Sequence, residues 1–167
     1  MKIINLTQGF STIVDDDDYK LLSKFKWMAF VCEHTVYAAR KTYINKKNRH
    51  FFMHRFILGL GNDGSDKSIE VDHINGSGLD NRKVNLRPCT SQQNKFNKRN
   101  RSDNKSGYKG VSWFQKRNRW ISQIQMSGRN MMIGRFKDKI EAAKSYDNKA
   151  RELFGDFART NFPLEVK

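Results

Sequence analysis

The sequence predicts an α+β fold built from small units: a mixed N-terminal region, a central ββα unit, and a C-terminal three-stranded antiparallel sheet packed on one helix. Three observations predict it. Short runs alternate apolar and polar residues between turn signals, as in Trp120-Ile121-Ser122-Gln123-Ile124-Gln125-Met126. Two helix starts are written as capping pairs, Thr90 with Gln93 and Asp138 with Glu141. Apolar residues make up only 37% of 167, too few for one large core.

In chain order, residues 1–50 read as a strand-rich region. Ile3 to Leu6 and Phe10 to Val14 form strands. Asp15 to Asp18 precede an apolar-periodic run, which suits carboxylates capping a helix N-terminus. Their spacing does not match a calcium loop. Trp27 to Val31 and Val36 to Arg40 are further strands, and Asn45 to Asn48 form a polar turn. Residues 51–97 hold a short helix from His54, a loop from Gly59 to Ser65, and a strand from Ile69 to His73. A Gly-rich turn follows over Asn75 to Gly78. A strand over Asn85 to Arg87 is limited by Pro88, and a helix begins at Thr90. Residues 98–106 are a basic linker. Residues 107–167 contain strands at Val111 to Phe114, Trp120 to Met126 and Met131 to Phe136, with turns at Lys116 to Arg119 and Ser127 to Asn130. One helix then runs from Asp138 to a Gly155 stop. Trp113 and Trp120 are expected to be core and sheet-packing residues.

Charge bounds the partner. Lys and Arg number 32 against 17 Asp and Glu, a net charge of +15. Such a field draws phosphate-rich polymers, and the 12% of aromatic residues are interleaved with the basic ones. No apolar run is long enough to span a membrane, and no signal peptide is evident at the N-terminus. A cytoplasmic setting is expected. Cys32 and Cys89 form no C-x-x-C pair, which argues against structural zinc. Both thiols are expected to be small buried hydrophobes, although one long-range disulfide stays open.

The densest chemistry lies in VDHINGSGLDNRKVNLRPCTSQQNKFN, residues 71–97. Asp72 and His73 put a carboxylate beside an imidazole, and Asn85 and Asn94 add amides. Asp72 and Asn94 offer oxygen to a metal, which favours Mg²⁺ or Mn²⁺ over zinc. An imidazole with an ordinary pKa near 6.5 can take a proton from water. Successive strand residues point to opposite faces, so Asp72 and His73 need a twist or a strand end to serve one phosphate. His54 reads as a supporting or phosphate-contacting residue. Arg55, Arg82 and Arg87 are candidate phosphate contacts.

Residues 71–97 resemble the HNH motif of ββα-metal endonucleases. YKGVSW, RW, IGRF, EAAKSYDNKA and the closing Asn161-Phe162 resemble the DNA-binding domain of plant APETALA2/ERF-type factors. Together, with INLTQGF and Met53-His54-Arg55, they resemble phage-type HNH homing endonucleases that carry such a domain at the C-terminus. The resemblance implies that Asp72 is the first metal ligand, His73 the general base, Asn85 a brace for hairpin and base, and Asn94 the second ligand. The letters read D-H…N…N where other members have histidines. It places Lys109, Ser112, Gln123, Gln125 and Met132 near positions that read DNA in the plant family. Lys98, Arg99, Arg101 and Lys105 of the linker, with Arg117, Arg119 and Arg129, complete the expected DNA surface.

The expectation is thus a metal-dependent endonuclease acting on double-stranded DNA as a monomer, encoded by a phage or mobile element and working in a bacterial host cell. The alternative is a non-catalytic, sequence-specific DNA-binding regulator. A recombinase is disfavoured by length, and an RNA-binding protein is the remaining rival.

Overall fold

The computed structural model describes residues 1–44, 46–61, 68–98, 100, 103–126 and 128–163. The expected DNA contacts Arg99 and Arg101 lie outside the described residues, as do Asn45, Ser127 and most of the Gly59 to Ser65 loop. The fold is α+β, with several small antiparallel sheets. It divides into two compact units, residues 1–94 and 95–167. Among the described residues no helix is long and apolar enough to cross a membrane.

The first unit opens with a hairpin of β1 (Lys2–Asn5) and β2 (Ser11–Val14), followed by α1 (Asp16–Leu22). A three-stranded sheet follows, β3 (Met28–Val31), β4 (Val36–Ile44) and β5 (Lys47–Phe52), and leads into α2 (Met53–Ile57). Ile4, Val14, Leu22, Trp27, Ala38 and Met53 form its core. Burying Leu22, Val14 and Met53 almost completely contributes roughly 1.5–3 kcal/mol each. A separate hairpin joins β6 (Glu70–His73) to β7 (Leu86–Cys89), and α3 (Ser91–Phe96) follows. The capping box expected at its start is present: Gln93 N–H donates to Thr90 Oγ1, and Thr90 N–H donates to Gln93 Oε1.

Four details differ from the sequence expectations. Asp15 does not cap its own helix; its carboxylate accepts the Lys83 backbone N–H at 2.7 Å, while Asp18 pairs with Lys83 Nζ. The acidic run therefore ties the hairpin's far loop to the N-terminal region. Pro88 does not limit its strand, because β7 belongs to a two-stranded sheet and proline needs only an edge without a ladder donor. The thiols are both free, and Cys32 is exposed beside the β3–β4 turn, while Cys89 is buried. Burial pushes the Cys89 thiol up to about 11. Trp113 is 46% exposed; it meets Trp120 across the ladder at the sheet's rim rather than filling the core.

The second unit stacks the order β10-β9-β8, with β8 (Val111–Phe114), β9 (Arg119–Met126) and β10 (Arg129–Phe136), against α4 (Lys139–Phe154). Asp138 caps α4 by accepting the Ile140 and Glu141 N–H groups. Ile124, Tyr146, Ala150 and Phe154 form one cluster, and Val111, Ala142 and Ala143 another. Gly110 has φ +75°, and a Cβ there would lie 2.0 Å from the Tyr146 ring, so only glycine fits. The closing Asn161-Phe162 pair is held by buried Asp147, which accepts Asn161 N–H, Asn161 Nδ2–H and Phe162 N–H. Phe96, at the end of α3, stacks on Phe154 at 3.7 Å, and Lys109 Nζ donates to the Phe96 and Lys98 carbonyls.

Candidate active site

The β6–β7 ladder sets which side chains share a face. It pairs Glu70 with Cys89, Val71 with Pro88, Asp72 with Arg87 and His73 with Leu86. The pleat therefore puts Glu70 and Asp72 on one side and His73 on the other.

On the first side, Arg87 Nε and a terminal nitrogen both donate to Asp72 Oδ2, at 2.8 and 2.6 Å. The two side chains are only 5% (Asp72) and 17% (Arg87) exposed, so this pair is largely desolvated. Asn94, on α3, reaches the same face, where its Nδ2 donates to Glu70 Oε2 at 2.6 Å. The donor set is a carboxylate and an amide, with a second carboxylate behind the amide. Among the described residues no three His, Cys, Asp or Glu side chains cluster as a metal cage. A carboxylate oxygen and an amide oxygen are the donor types that suit a hard divalent ion such as Mg²⁺ or Mn²⁺.

On the other side, His73 is buried and its Nε2 lies 3.3 Å from Asn81 Oδ1, a long hydrogen bond. A chain of donors fixes its sense. Thr12 Oγ1–H donates to the Leu79 carbonyl, which can only accept. Thr12 Oγ1 must then accept from Asn81 Nδ2, at 2.7 Å. Asn81 is left presenting its oxygen to the imidazole, so Nε2 carries the proton and Nδ1 bears the lone pair. Burial pulls the His73 pKa down, opposed by the Asn81 hydrogen bond and by the Asp72 and Asp80 charges. The result is a neutral imidazole at neutral pH with a defined basic nitrogen.

The loop between the strands is braced from within. Asn85 is buried, accepts the Asn75 N–H at Oδ1 and donates from Nδ2 to the Asp80 carbonyl. Residues 79–81 also pair with β2, through Ile13 N–H to Leu79 O and Asn81 N–H to Ile13 O. This pairing is what carries Thr12 to Asn81. Tyr37 is the other contributor from the N-terminal region: its ring packs 5.8 Å from that of His73 and 5.4 Å from that of His54. A Cβ on Gly78 would sit 2.7 Å from that ring, so glycine is required for the approach. Thr12, Asn81, Tyr37 and Glu70 were not singled out by sequence: Thr12, Tyr37 and Glu70 lie outside residues 71–97, and Asn81, inside that stretch, gains its role only through Thr12, 69 positions away.

The expected phosphate contacts also bond within the protein. Arg55 donates to the Gly61 and Ile69 carbonyls. Arg82 forms a two-pronged pair with Asp80, whose carboxyl it holds below the usual range. Arg87 belongs to Asp72. His54 is buried, its ring stacked on Phe52 and edge-on to His73 at 5.1 Å, so it supports the imidazole and is not open to phosphate.

His54 has a measurable consequence. Burial, then His73 and Arg55, push its pKa down to about 3. In the unfolded chain a histidine titrates near pH 6.5, so protons favour the unfolded state below that value. Stability from this group is complete above pH 6.5 and is lost as pH falls towards 3, by about 2 kcal/mol between pH 6.5 and 5. Urea unfolding at pH 7 and pH 5 checks this, and the difference should shrink in a His54→Met variant.

In the second unit, Ser112, Gln123, Gln125 and Met132 share the face turned away from α4, with Gln123 opposite Met132 and Gln125 opposite Asn130. Met132 is 52% exposed. A concavity of about 710 Å³ is lined by Ser112, Gln123, Gln125, Asn130 and Lys105, among others. Lys98, Lys105, Arg117 and Arg129 are exposed, and Arg119 turns one nitrogen back to the Asn118 carbonyl. Lys109 differs from its expected role: its ammonium caps two carbonyls, and burial pulls its pKa down to about 8.

No family model matches the chain. Over 156 residues it is 33% identical to an uncharacterized HNH endonuclease of Acanthamoeba polyphaga mimivirus, covering 92% of this chain and 76% of the relative. It is 33% identical over 106 residues to Protein 3.8 of Escherichia phage T7, covering 64% of this chain and 87% of that protein. A 78-residue stretch, 47% of this chain, is 33% identical to APETALA2-like protein 2 of Oryza sativa and covers 17% of that protein.

Proposed function

This chain belongs to the HNH endonuclease family, and on that premise we propose that it hydrolyses phosphodiester bonds in double-stranded DNA at the β6–β7–α3 unit. The observation that carries the reading is the donor chain from Leu79 through Thr12 and Asn81 to His73. It supplies a neutral imidazole whose basic nitrogen is fixed, which is what proton abstraction from water requires.

Asp72 and Asn94 would hold Mg²⁺ or Mn²⁺. A divalent ion bound there supplies positive charge to the scissile phosphate and the leaving 3′ oxygen. His73 Nδ1 takes a proton from the attacking water, while the Nε2–H bond to Asn81 steadies the imidazolium that forms. Arg87 holds one oxygen of Asp72 and so limits how the carboxylate can turn. Asn85 keeps the loop shape that seats Asn81. Asp72 and His73 leave β6 on opposite faces, at its last two positions, and in this proposal the scissile group meets both at the end of the strand.

The second unit supplies target binding in this proposal, in the manner of a homing-type enzyme acting as a monomer. Kinship with a mimivirus and a phage protein supports coding by a virus or mobile element. The face bearing Gln123, Gln125 and Met132 is the base-reading surface, since glutamine can pair with adenine in the major groove. Lys98, Lys105, Arg117, Arg119 and Arg129 contact phosphates. Affinity should then fall linearly on a log–log salt plot, with a slope of about −0.9 per phosphate contact. Removing Arg117 or Lys105 should lower that slope by about 1, whereas Gln125→Ala should alter base preference at a cost of about 1–3 kcal/mol.

Incubation of supercoiled DNA with the protein and Mg²⁺ or Mn²⁺ tests the central reading. Nicked or linear product supports it. Binding without any product across a genomic library would favour the regulator instead.

A further inference from the structure

The hydrogen bond from Asn94 to Glu70 has a chemical direction. A carboxylate accepts hydrogen bonds and cannot donate them. At 2.6 Å from Glu70 Oε2, the Asn94 amide must therefore present its NH₂ end. Its Oδ1 is turned to the other side, and among the described residues no donor bonds that oxygen. Both side chains are half-buried, and Glu70 lies two residues before Asp72 on the same face of β6.

We propose that Glu70 is a positioning residue, which by accepting the Asn94 amide hydrogens presents Asn94 Oδ1 to the divalent ion held with Asp72. The inference rests on the metal reading above and deepens it. An amide nitrogen has no lone pair to give a cation, so an Asn94 turned the other way contributes nothing. The two ends of the amide are nearly identical in size, and packing cannot tell them apart. Only a partner with one-way hydrogen bonding can, and Glu70 is that partner. Outer contacts of this kind are worth about 10- to 100-fold in metal affinity.

The role separates from two others by its dependence on residue 94. If Glu70 ligated the ion directly, or acted only through its charge, its loss would matter whatever stood at 94. If it orients an amide, its loss matters only while 94 is an amide, because aspartate offers oxygen at both ends. The experiment is Mn²⁺ titration of the full chain without DNA, followed by the electron paramagnetic resonance signal of free Mn²⁺. Glu70→Leu should weaken binding about tenfold or more in the native background and less than about twofold in an Asn94→Asp background. Glu70→Gln, which keeps the side chain's shape, should show the same sign with a smaller loss, and serves if the leucine variant does not fold. Native Mn²⁺ affinity in both Glu70 variants overturns the positioning role, and so do equal losses in the two backgrounds. Asp72→Asn should lose Mn²⁺ binding. If it binds as the native protein does, the metal reading itself falls and this inference with it.

Discussion

Replacing His73 with alanine should leave DNA binding intact and slow cleavage by about 10²- to 10⁴-fold, the range that a positioned general base contributes. Gel shift on a fixed duplex and nicking of supercoiled DNA measure the two quantities separately. The imidazole lies on the face opposite Asp72, so its loss need not disturb the oxygen ligands. Asn81→Leu should move in the same direction with a smaller effect. It removes the acceptor for Nε2–H, so the proton is no longer confined to that nitrogen, and it strands Thr12 Oγ1 without its donor. Full cleavage by His73→Ala would remove this residue from the chemistry.

Asp72→Ala should abolish cleavage and also destabilise the protein by ~3–5 kcal/mol, because it removes the carboxylate that accepts two hydrogen bonds from the Arg87 guanidinium in a largely desolvated site. Arg87→Ala should cost a similar amount for the converse reason. The two effects of Asp72 can be pulled apart. A double variant, Asp72→Leu with Arg87→Met, removes both partners and should regain most of the lost stability while remaining inactive. Urea midpoints and nicking assays on the four proteins check this. Recovery of cleavage in the double variant would show that Asp72 acts only as the partner of Arg87.

The local parts of this molecule were legible in the sequence. The strand alternation from Trp120 to Met126, the Thr90–Gln93 box and the Asp138 cap are all decided by residues within one turn or one ladder step of each other. The candidate site was legible as a set of residue types, Asp72, His73, Asn85 and Asn94. Its supports were not, because they come from far along the chain: Thr12 meets Asn81 across 69 positions, Glu70 meets Asn94 across 24, and Tyr37 arrives from another sheet. The pairing of the basic side chains was hidden for a related reason. In a chain of net charge +15, any cation near the motif looks like a phosphate contact, yet Asp80, Asp72 and four backbone carbonyls accept hydrogen bonds from Arg82, Arg87, Arg55 and Lys109. Charge counts show what the surface attracts, and only pairing shows which cations are left to do it.

The Phe96–Phe154 stack and the Lys109 cap bear on how the molecule can be cut into pieces. A fragment of the sheet-and-α4 half that begins at residue 107, just before β8, would lack Phe96. One face of Phe154 would be open to water, and the Lys109 ammonium would lose both carbonyl partners. The shortest fragment with a sealed core starts at Lys95 or earlier, so the basic stretch before residue 107 has to travel with the half that follows it.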